Sequence, residues 1–228
     1  MLAAKAVSQF KTSGYFVIPG VIDAVLNRRL GAFVRGFADG GAGSRRLLDE
    51  AWCRHLAAAL RGDTRIHSLL PRRALAVQCT LFDKSPTKNW LVALHQDLSI
   101  PVKDRVESSE CSGWSEKEGQ VYVQPPVSVL EQLVAVRVHL DDCQVENGAL
   151  RVVPKSHLEG RVSKERAEEL RLQYGETVVP LPRGGVLVMR PLLLHASSKA
   201  TSLAPRRVLH FVFGPPSLPL GLEWRWAA

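Results

Sequence analysis

Between residues 132 and 213 the chain is a succession of short apolar segments separated by turn residues. Residues 133–140 alternate with period two, so their valines share one face, as expected for a β-strand. Asn147-Gly148 and Gly184-Gly185 are typical turn pairs between such segments. Many short strands separated by turns favour a β-sandwich or a jelly roll.

The first third of the chain has a different pattern. Apolar residues recur at helical spacing in residues 3–13, 22–38 and 47–60, and a short β-type run at 15–19 separates the first two segments. A further helix is predicted over residues 163–174, with Ser163 as its N-cap and Gly175 as its end. The sequence therefore predicts a mainly β fold with α-helices, in which helices cover the sheet.

Residues 74–82 and 91–100 are predicted as two more strands. Residues 101–128 are polar and contain Gly113 and Gly119 but show no clear periodicity. Connections of this length without secondary structure are more often functional than mere linkers. We therefore interpret this segment, together with residues 99–100, as a mobile lid that orders on substrate binding.

Several classes of protein are disfavoured by the composition. The chain has 228 residues, a length of one domain or at most two small ones. It contains no run of 18 apolar residues, so no membrane span is predicted. Lys5 and Lys11 interrupt the first 20 residues, which argues against a secretory signal. The separated cysteines are typical of reduced thiols in a cytoplasmic protein, and they are Cys53, Cys79, Cys111 and Cys143.

The net charge of +8 is concentrated in residues 1–73, which hold 12 Lys/Arg against 5 Asp/Glu. One interpretation is a solvated helical surface, and the other is attraction of an anionic substrate. The adjacent arginine pairs best suited to the second are Arg28-Arg29, Arg45-Arg46 and Arg72-Arg73. A nucleic-acid partner is not expected, because the basic residues lack interleaved aromatics and a recognisable binding motif.

The triplet His95-Gln96-Asp97 is the most informative local pattern. On a strand, side chains two residues apart point to the same face, so the imidazole and the carboxylate would project together. His195, at the end of a hydrophobic run, is the best third ligand. Two histidines and one carboxylate that leave open positions are typical of non-haem Fe(II) oxygenases. The alternative is that these are ordinary core or turn residues, because H-x-D alone occurs often by chance.

Two basic residues strengthen the interpretation as a metal site. Arg206 follows His195 by eleven residues and opens the next predicted strand. A guanidinium grips a carboxylate with two parallel hydrogen bonds, which would suit a dicarboxylate cosubstrate. Either Arg206 or Arg207 is expected to lie on the surface. Lys84 precedes the first ligand strand and is either a further cation of the site or a solvated loop lysine.

Four segments, in order along the chain, resemble the phytanoyl-CoA dioxygenase family of Fe(II)/2-oxoglutarate oxygenases. They are FDKSPTKNWLVALHQDLSI, LDDCQVENGALRVVPKSH, GGVLVMRPLLLHASS and RRVLHFVF. The opening QFKTSGYFVIPGVID is also similar to that family, so the resemblance covers nearly the whole chain. One departure is Lys155, where the family usually has glycine. Because lysine tolerates positive φ poorly, this departure concerns the turn geometry and not the metal ligands.

The resemblance implies one domain over residues 1–228, a double-stranded β-helix (a cupin-like jelly roll) with N-terminal helices packed on the sheet. The helical part is expected over about 1–73 and the jelly-roll core over about 74–215. The resemblance further implies that Fe(II) is bound by His95, Asp97 and His195, and that Arg206 pairs with the distal carboxylate of 2-oxoglutarate.

Three further roles come from the same resemblance. In related ectoine hydroxylases a lysine that matches Lys84 contacts 2-oxoglutarate, and a glutamine that matches Gln78 faces the substrate. Trp114 lies in the loop where family members often place an aromatic residue near the site, although ordinary packing is an equal alternative. His139, His157 and His210 do not stand at ligand positions and are interpreted as structural residues.

The resemblance also implies the reaction. 2-Oxoglutarate and O2 would be converted to succinate and CO2 while a C–H bond of a small molecule is hydroxylated, with ascorbate as an activator in vitro. Related halogenases lack the carboxylate that Asp97 provides, so an oxygenase outcome is favoured. Two alternatives are a cupin-like metal-dependent isomerase and a catalytically silent binding protein of the same fold.

Overall fold

A computed structural model describes residues 2–37, 43–85 and 87–228 of the chain. Residue 38, the last of the predicted second helix, lies outside these ranges. The α-helices are α1 (Leu2–Ser13), α2 (Ala24–Arg35), α3 (Ala51–Gly62), α4 (Thr64–His67), α5 (Val127–Leu130) and α6 (Lys164–Tyr174). The strands are β1 (Tyr15–Ile18), β2 (Leu75–Lys84), β3 (Val92–His95), β4 (Ile100–Val102), β5 (Ser112–Lys117), β6 (Gln120–Gln124), β7 (Val134–His139), β8 (Leu150–Val152), β9 (Thr177–Val179), β10 (Val186–Met189), β11 (His195–Ser197) and β12 (Arg206–Gly214).

Side-chain caps fix where the helices begin. The Asp23 carboxylate accepts hydrogen bonds of 2.8 Å from the backbone N–H groups of Val25 and Leu26 at the start of α2. The predicted N-cap of α6 is confirmed, because the Ser163 hydroxyl accepts from the backbone N–H of Arg166 at 3.2 Å. Each cap satisfies backbone donors that have no partner within the helix.

The strands form two main antiparallel sheets, which confirms the predicted jelly roll. The five-stranded sheet has the order β1-β10-β7-β12-β2, and the four-stranded sheet has the order β3-β11-β8-β9. The predicted helical cover is also confirmed, since Phe10, Leu30 and Leu56 pack in one buried cluster with Val136 and Phe211 of the large sheet. The other face of this sheet is turned toward the four-stranded sheet and carries the polar residues of the site. In the part of the chain that is described, no helix is long and apolar enough to cross a membrane.

The predicted strand over residues 91–100 is wrong at its C-terminal end. Strand β3 ends at His95, and β4 begins only at Ile100. Between them the backbone N–H of Asp97 donates to the carbonyl of Pro191 at 2.9 Å. The chain therefore leaves the sheet directly after the first candidate ligand.

The interpretation of residues 101–128 as a connection without secondary structure is also wrong. Strands β4, β6 and β5 form a separate three-stranded sheet. Glu118 and Gly119 join β5 to β6 with φ values of 53° and 73°. Positive φ at both central residues is the geometry of the tight hairpin turn that suits twisted strands. Tyr122 and Val123 of β6 are buried, so tertiary packing stabilises this strand. The polar residues on either side of it had masked the strand pattern in the sequence. The predicted mobility of the segment stays a prediction.

Lys155 keeps the turn that the family usually builds with glycine. Its φ is +70°, in the left-handed region, and a short 3₁₀ turn, Ser156–Glu159, follows. The buried hydroxyl of Ser156 donates to the carbonyl of Val153 at 2.7 Å and accepts from the backbone N–H of Leu194 at 2.8 Å. This turn thus anchors the segment that leads into His195.

Candidate metal centre

His95, Asp97 and His195 meet between the two main sheets. His95 ends β3 and His195 begins β11, and the two residues are direct partners across these strands. Their ring centroids are 4.2 Å apart. Oδ1 of Asp97 lies 3.7 Å from Nε2 of His95, and Oδ2 lies 3.7 Å from Nε2 of His195. One donor atom from each of the three lies within 4.8 Å of the others, which is a suitable separation for shared coordination of a metal ion.

Backbone carbonyls select the tautomer of both imidazoles. Nδ1 of His95 lies 2.9 Å from the carbonyl of Ala93, and Nδ1 of His195 lies 2.8 Å from that of Leu193. A carbonyl only accepts, so each Nδ1 carries the hydrogen and each Nε2 presents a lone pair. Both lone pairs are directed to the same place as the Asp97 carboxylate, as happens in metal sites where the other ring nitrogen is held by a hydrogen bond.

The protonation states also suit a cation. Burial lowers the pKa of His195 to about 4, so this imidazole is neutral near pH 7. Burial alone would raise the pKa of the Asp97 carboxyl. The surrounding imidazoles, of which His195 has the largest effect, instead hold this pKa well below its usual range. Burial alone would lower the pKa of His95, but the hydrogen bond and charge of Asp97 raise it above its usual value, so a bound metal ion would displace a proton from this imidazole. With His95 deprotonated, the centre offers two neutral nitrogens and one negative oxygen, the donor set of non-haem Fe(II) oxygenases.

Gln96 fixes the backbone between the two candidate ligands that flank it. Its side-chain nitrogen donates at 2.7 Å to the carbonyls of both Gly160 and Leu192, and its oxygen accepts from the backbone N–H of Val162 at 3.1 Å. The side chain is buried, so these bonds replace contacts with water. It thereby ties the His95–Asp97 segment to the turns on either side.

We expect Gln96→Ala to lower the free energy of unfolding by about 2–4 kcal/mol, because buried backbone groups would lose their partners. Affinity for Fe(II) should fall by roughly tenfold, since Gln96 orients the ligand segment. Urea denaturation and anaerobic Fe(II) titration measure the two effects. The control is Gln132→Ala, which removes one exposed side-chain bond to Ser128. Equal behaviour of the two variants would contradict the proposed support role.

Two cavities adjoin this centre, and His95, Asp97 and Phe82 line both. The larger has a volume of about 260 Å³, and its polar lining includes Arg45, Gln78, Thr80, Lys117, Tyr122 and His210. The smaller has a volume of about 90 Å³, and its lining includes Trp90, Arg137, His195, Ser197 and Arg206. The arrangement offers separate spaces for two molecules on one metal.

Arg206 and Arg207 lie on opposite faces of β12, as the alternation of a strand requires. Arg206 is 3% exposed and lines the smaller cavity. Arg207 forms an ion pair of 2.7 Å with Asp141 on the other face. Between the two arginines, Arg206 is therefore the one placed to bind a ligand.

Lys84 lies beside Arg206, its partner across β2 and β12. Its ammonium donates to the Ser197 hydroxyl at 3.1 Å and to the carbonyl of Ser198 at 2.8 Å. Burial, together with the charge of Arg206, lowers the pKa of Lys84 to about 8. Lys84 is therefore a buried strand residue and not a solvated loop lysine, and it adds a positive charge next to the smaller cavity.

The structure separates the two predicted substrate residues. Gln78 lines the larger cavity and donates to the Thr80 hydroxyl at 3.1 Å. Trp114 stands on β5, where its half-buried ring packs against the apolar cluster that contains Val123 and lies 5.9 Å from the Arg105 guanidinium carbon. Trp114 is not among the described lining residues of either cavity, and its role at the substrate stays a prediction.

Sequence reasoning missed His210 and Arg137. His210 lines the larger cavity, with Nε2 3.8 Å from Oδ2 of Asp97, so its interpretation as structural overlooked this position. Arg137 donates to Nδ1 of His210 at 2.8 Å. A signal existed for both residues. His210 follows Arg206 by four residues and shares its strand face, and Arg137 is a charged residue among alternating valines.

Fold and site together define a cupin-like jelly-roll protein with a His-Asp-His centre, the architecture of Fe/2-oxoglutarate oxygenases. The family model for phytanoyl-CoA dioxygenase matches residues 10–208. The chain therefore belongs to the phytanoyl-CoA dioxygenase family, which confirms the resemblance seen in the sequence. A search of curated protein sequences found no significant match.

Solved structures with the same fold include three enzymes. The epimerase SnoN from nogalamycin biosynthesis, in complex with Fe3+, alpha ketoglutarate and nogalamycin RO, has a TM-score of 0.70 and 17% identity, over 96% of this chain and 87% of that chain. The non-heme alpha ketoglutarate dependent carbocyclase SnoK has a TM-score of 0.67 and 18% identity, over 95% and 88%. EctD from S. alaskensis in its apoform has a TM-score of 0.70 and 19% identity, over 98% and 82%. At these identities the likeness shows the fold alone.

Proposed function

We propose that this protein is an Fe(II)- and 2-oxoglutarate-dependent dioxygenase that hydroxylates a C–H bond of a small molecule. The observation that carries the proposal is the position of the His95, Asp97 and His195 donors between two cavities, one of which ends at the buried Arg206. Bound iron and 2-oxoglutarate supply, with O2, the oxidising chemistry, and yield succinate and CO2.

The chain's own residues bind and orient the reactants. Asp97 and the imidazoles of His95 and His195 would hold Fe(II), with His95 losing its proton on binding, and leave positions open toward both cavities. Arg206 would pair with the distal carboxylate of 2-oxoglutarate, and Lys84 adds positive charge beside it. Phe82 lies between the two cavities and restricts water at the centre.

A buried arginine favours this reaction over the isomerase alternative. Arg206 lies at the end of a cavity of about 90 Å³, where a dicarboxylate cosubstrate would neutralise it. A cupin-like isomerase has no such cosubstrate. Asp97 favours hydroxylation over halogenation, because it occupies the position that a halide would need.

The deciding experiment is a screen for substrate-stimulated succinate formation from 2-oxoglutarate with Fe(II), ascorbate and O2. Mass spectrometry of the product distinguishes hydroxylation, which adds one oxygen atom, from epimerisation or ring closure, which do not. An anaerobic reaction is the control. A protein that binds iron but neither binds nor consumes 2-oxoglutarate would contradict the proposal.

We further infer that the substrate carries an anionic group. Arg45 and Lys117 line the larger cavity, and Arg45 is the one residue of the three predicted arginine pairs found among the described lining. Arg45 is already matched by Glu118, at 2.9 Å. The Lys117 ammonium lies 4.8 Å from the Tyr122 ring centroid, and within the described ranges it has no carboxylate partner in an ion pair. Burial, aided by Arg45, lowers the pKa of Lys117, as expected for a cation that lacks a counter-charge.

We expect Lys117→Gln to raise the KM for the substrate about tenfold and to change kcat less, because a charge-assisted contact in the bound state would be lost. Added salt should raise the KM of the wild type more than that of the variant, since the attraction is screened. Steady-state kinetics with an identified substrate measure both effects. Lys103→Gln, which removes a surface ion pair with Glu223, is the control. An unchanged KM in Lys117→Gln would exclude a role in recognition.

A further inference from the structure

The smaller cavity is lined by two buried guanidinium groups. Arg137 projects from β7 and is 5% exposed, and Arg206 projects from the adjacent β12. In each side chain Nε is buried and, among the described residues, has no hydrogen-bond partner. Two like charges without full hydrogen bonding are costly to bury, so the missing negative charge is expected to come from a ligand.

The two guanidiniums lie at different ends of the cavity. Strand register places Arg137 opposite His210, whereas Arg206 is four residues away along β12. Arg137 donates to Nδ1 of His210 at 2.8 Å, and Nε2 of the same imidazole lies 3.8 Å from Asp97. Arg137 is thus at the metal end of the cavity and Arg206 at the far end.

The positive charge at the metal end is not matched within the cavity lining. Asp97 is the one carboxylate among the described lining residues, and it is already directed at His95 and His195. Burial, with the nearby charge of Arg206, lowers the pKa of Arg137 to about 10, so it remains a cation at neutral pH. His210 accepts one of its N–H groups and leaves others for a ligand.

We propose that Arg137 is a second anion-binding residue of this cavity, which contacts the carboxylate of a 2-oxo acid at the metal end while Arg206 contacts the distal carboxylate. The inference rests on the proposed function and adds a ligand class, dianionic 2-oxo acids with a charge at each end. A monoanion such as pyruvate would leave Arg206 unmatched.

Calorimetric titration of 2-oxoglutarate and of pyruvate into anaerobic, Fe(II)-loaded protein separates the two arginines without turnover. Arg137→Met should raise the Kd for both ligands by about 10- to 100-fold, because both carry the carboxylate beside the keto group. Arg206→Met should raise the Kd for 2-oxoglutarate by about 30-fold or more and leave that for pyruvate within about twofold. Arg207→Met is the matched control and should change neither.

Unchanged binding of both ligands by Arg137→Met would overturn the inference while the proposed function stands. Failure of the wild type to bind 2-oxoglutarate would instead contradict the proposed function.

His210→Asn retains an acceptor for Arg137, so it should weaken pyruvate binding less than Arg137→Met does. An equal loss would mean that Arg137 acts only through His210. Arg137→Lys covers the case in which the methionine variant does not fold. Lysine keeps the positive charge but lacks the planar guanidinium, so Arg137→Lys should weaken pyruvate binding severalfold. A Kd for pyruvate equal to that of the wild type would overturn the proposed contact.

Discussion

Alanine at His95, Asp97 or His195 is expected to abolish 2-oxoglutarate-dependent turnover while the domain stays folded. Loss of a residue that merely orients a ligand lowers metal affinity about 10- to 100-fold, so loss of a ligand itself should lower Fe(II) affinity by about 100-fold or more. The fold should persist because the apolar clusters do not include these three residues. Anaerobic Fe(II) titration, succinate formation and circular dichroism measure the three effects.

The control for this series is His55→Ala, which changes an exposed histidine on α3. It should keep wild-type iron affinity and turnover. Full turnover in any one of the three ligand variants would show that the assignment of that residue is wrong. Loss of folded structure in a variant would instead show that the residue stabilises the sheets as well.

Arg206→Met is expected to weaken 2-oxoglutarate binding by about 30-fold or more and to change Fe(II) affinity little. Losing one partner of a buried, hydrogen-bonded charge pair costs about 2–5 kcal/mol, much of it because the other charge is left unmatched. The KM for 2-oxoglutarate and its Kd from anaerobic titration both report this loss. Iron binding is measured separately, because the ligand residues are unchanged.

Arg207→Met provides the comparison on the same strand. Its ion pair with Asp141 is bidentate and mostly buried, so its loss should cost about 1–3 kcal/mol of stability, but it should leave 2-oxoglutarate binding unchanged because the pair lies on the other face of β12. If Arg207→Met weakened 2-oxoglutarate binding and Arg206→Met did not, the assigned strand register would be wrong.

The sequence by itself determined the features that depend on local spacing. Adjacent Arg206 and Arg207 had to face opposite ways on a strand, whereas His95 and Asp97 are close because only one residue separates them, not because both lie on a strand. The α6 cap at Ser163 and the strands from residue 133 onward were likewise readable, because caps, turn pairs and alternation are encoded within a few residues. The resemblance to the family then predicted that His95, Asp97 and His195 share one site, which spacing along the chain does not show.

Tertiary structure alone decided which separate segments meet. Strand pairing sets Arg137 beside His210, and no local pattern specifies that register. Packing turned part of residues 101–128 into a sheet, which buried Tyr122 and packed Trp114 against an apolar cluster. The two cavities arise where the main sheets face each other, so their lining combines residues from strands far apart in the chain. Burial lowers the pKa of both His195 and Arg137 through desolvation that exists only in the folded protein, which leaves His195 neutral and Arg137 still a cation near pH 7.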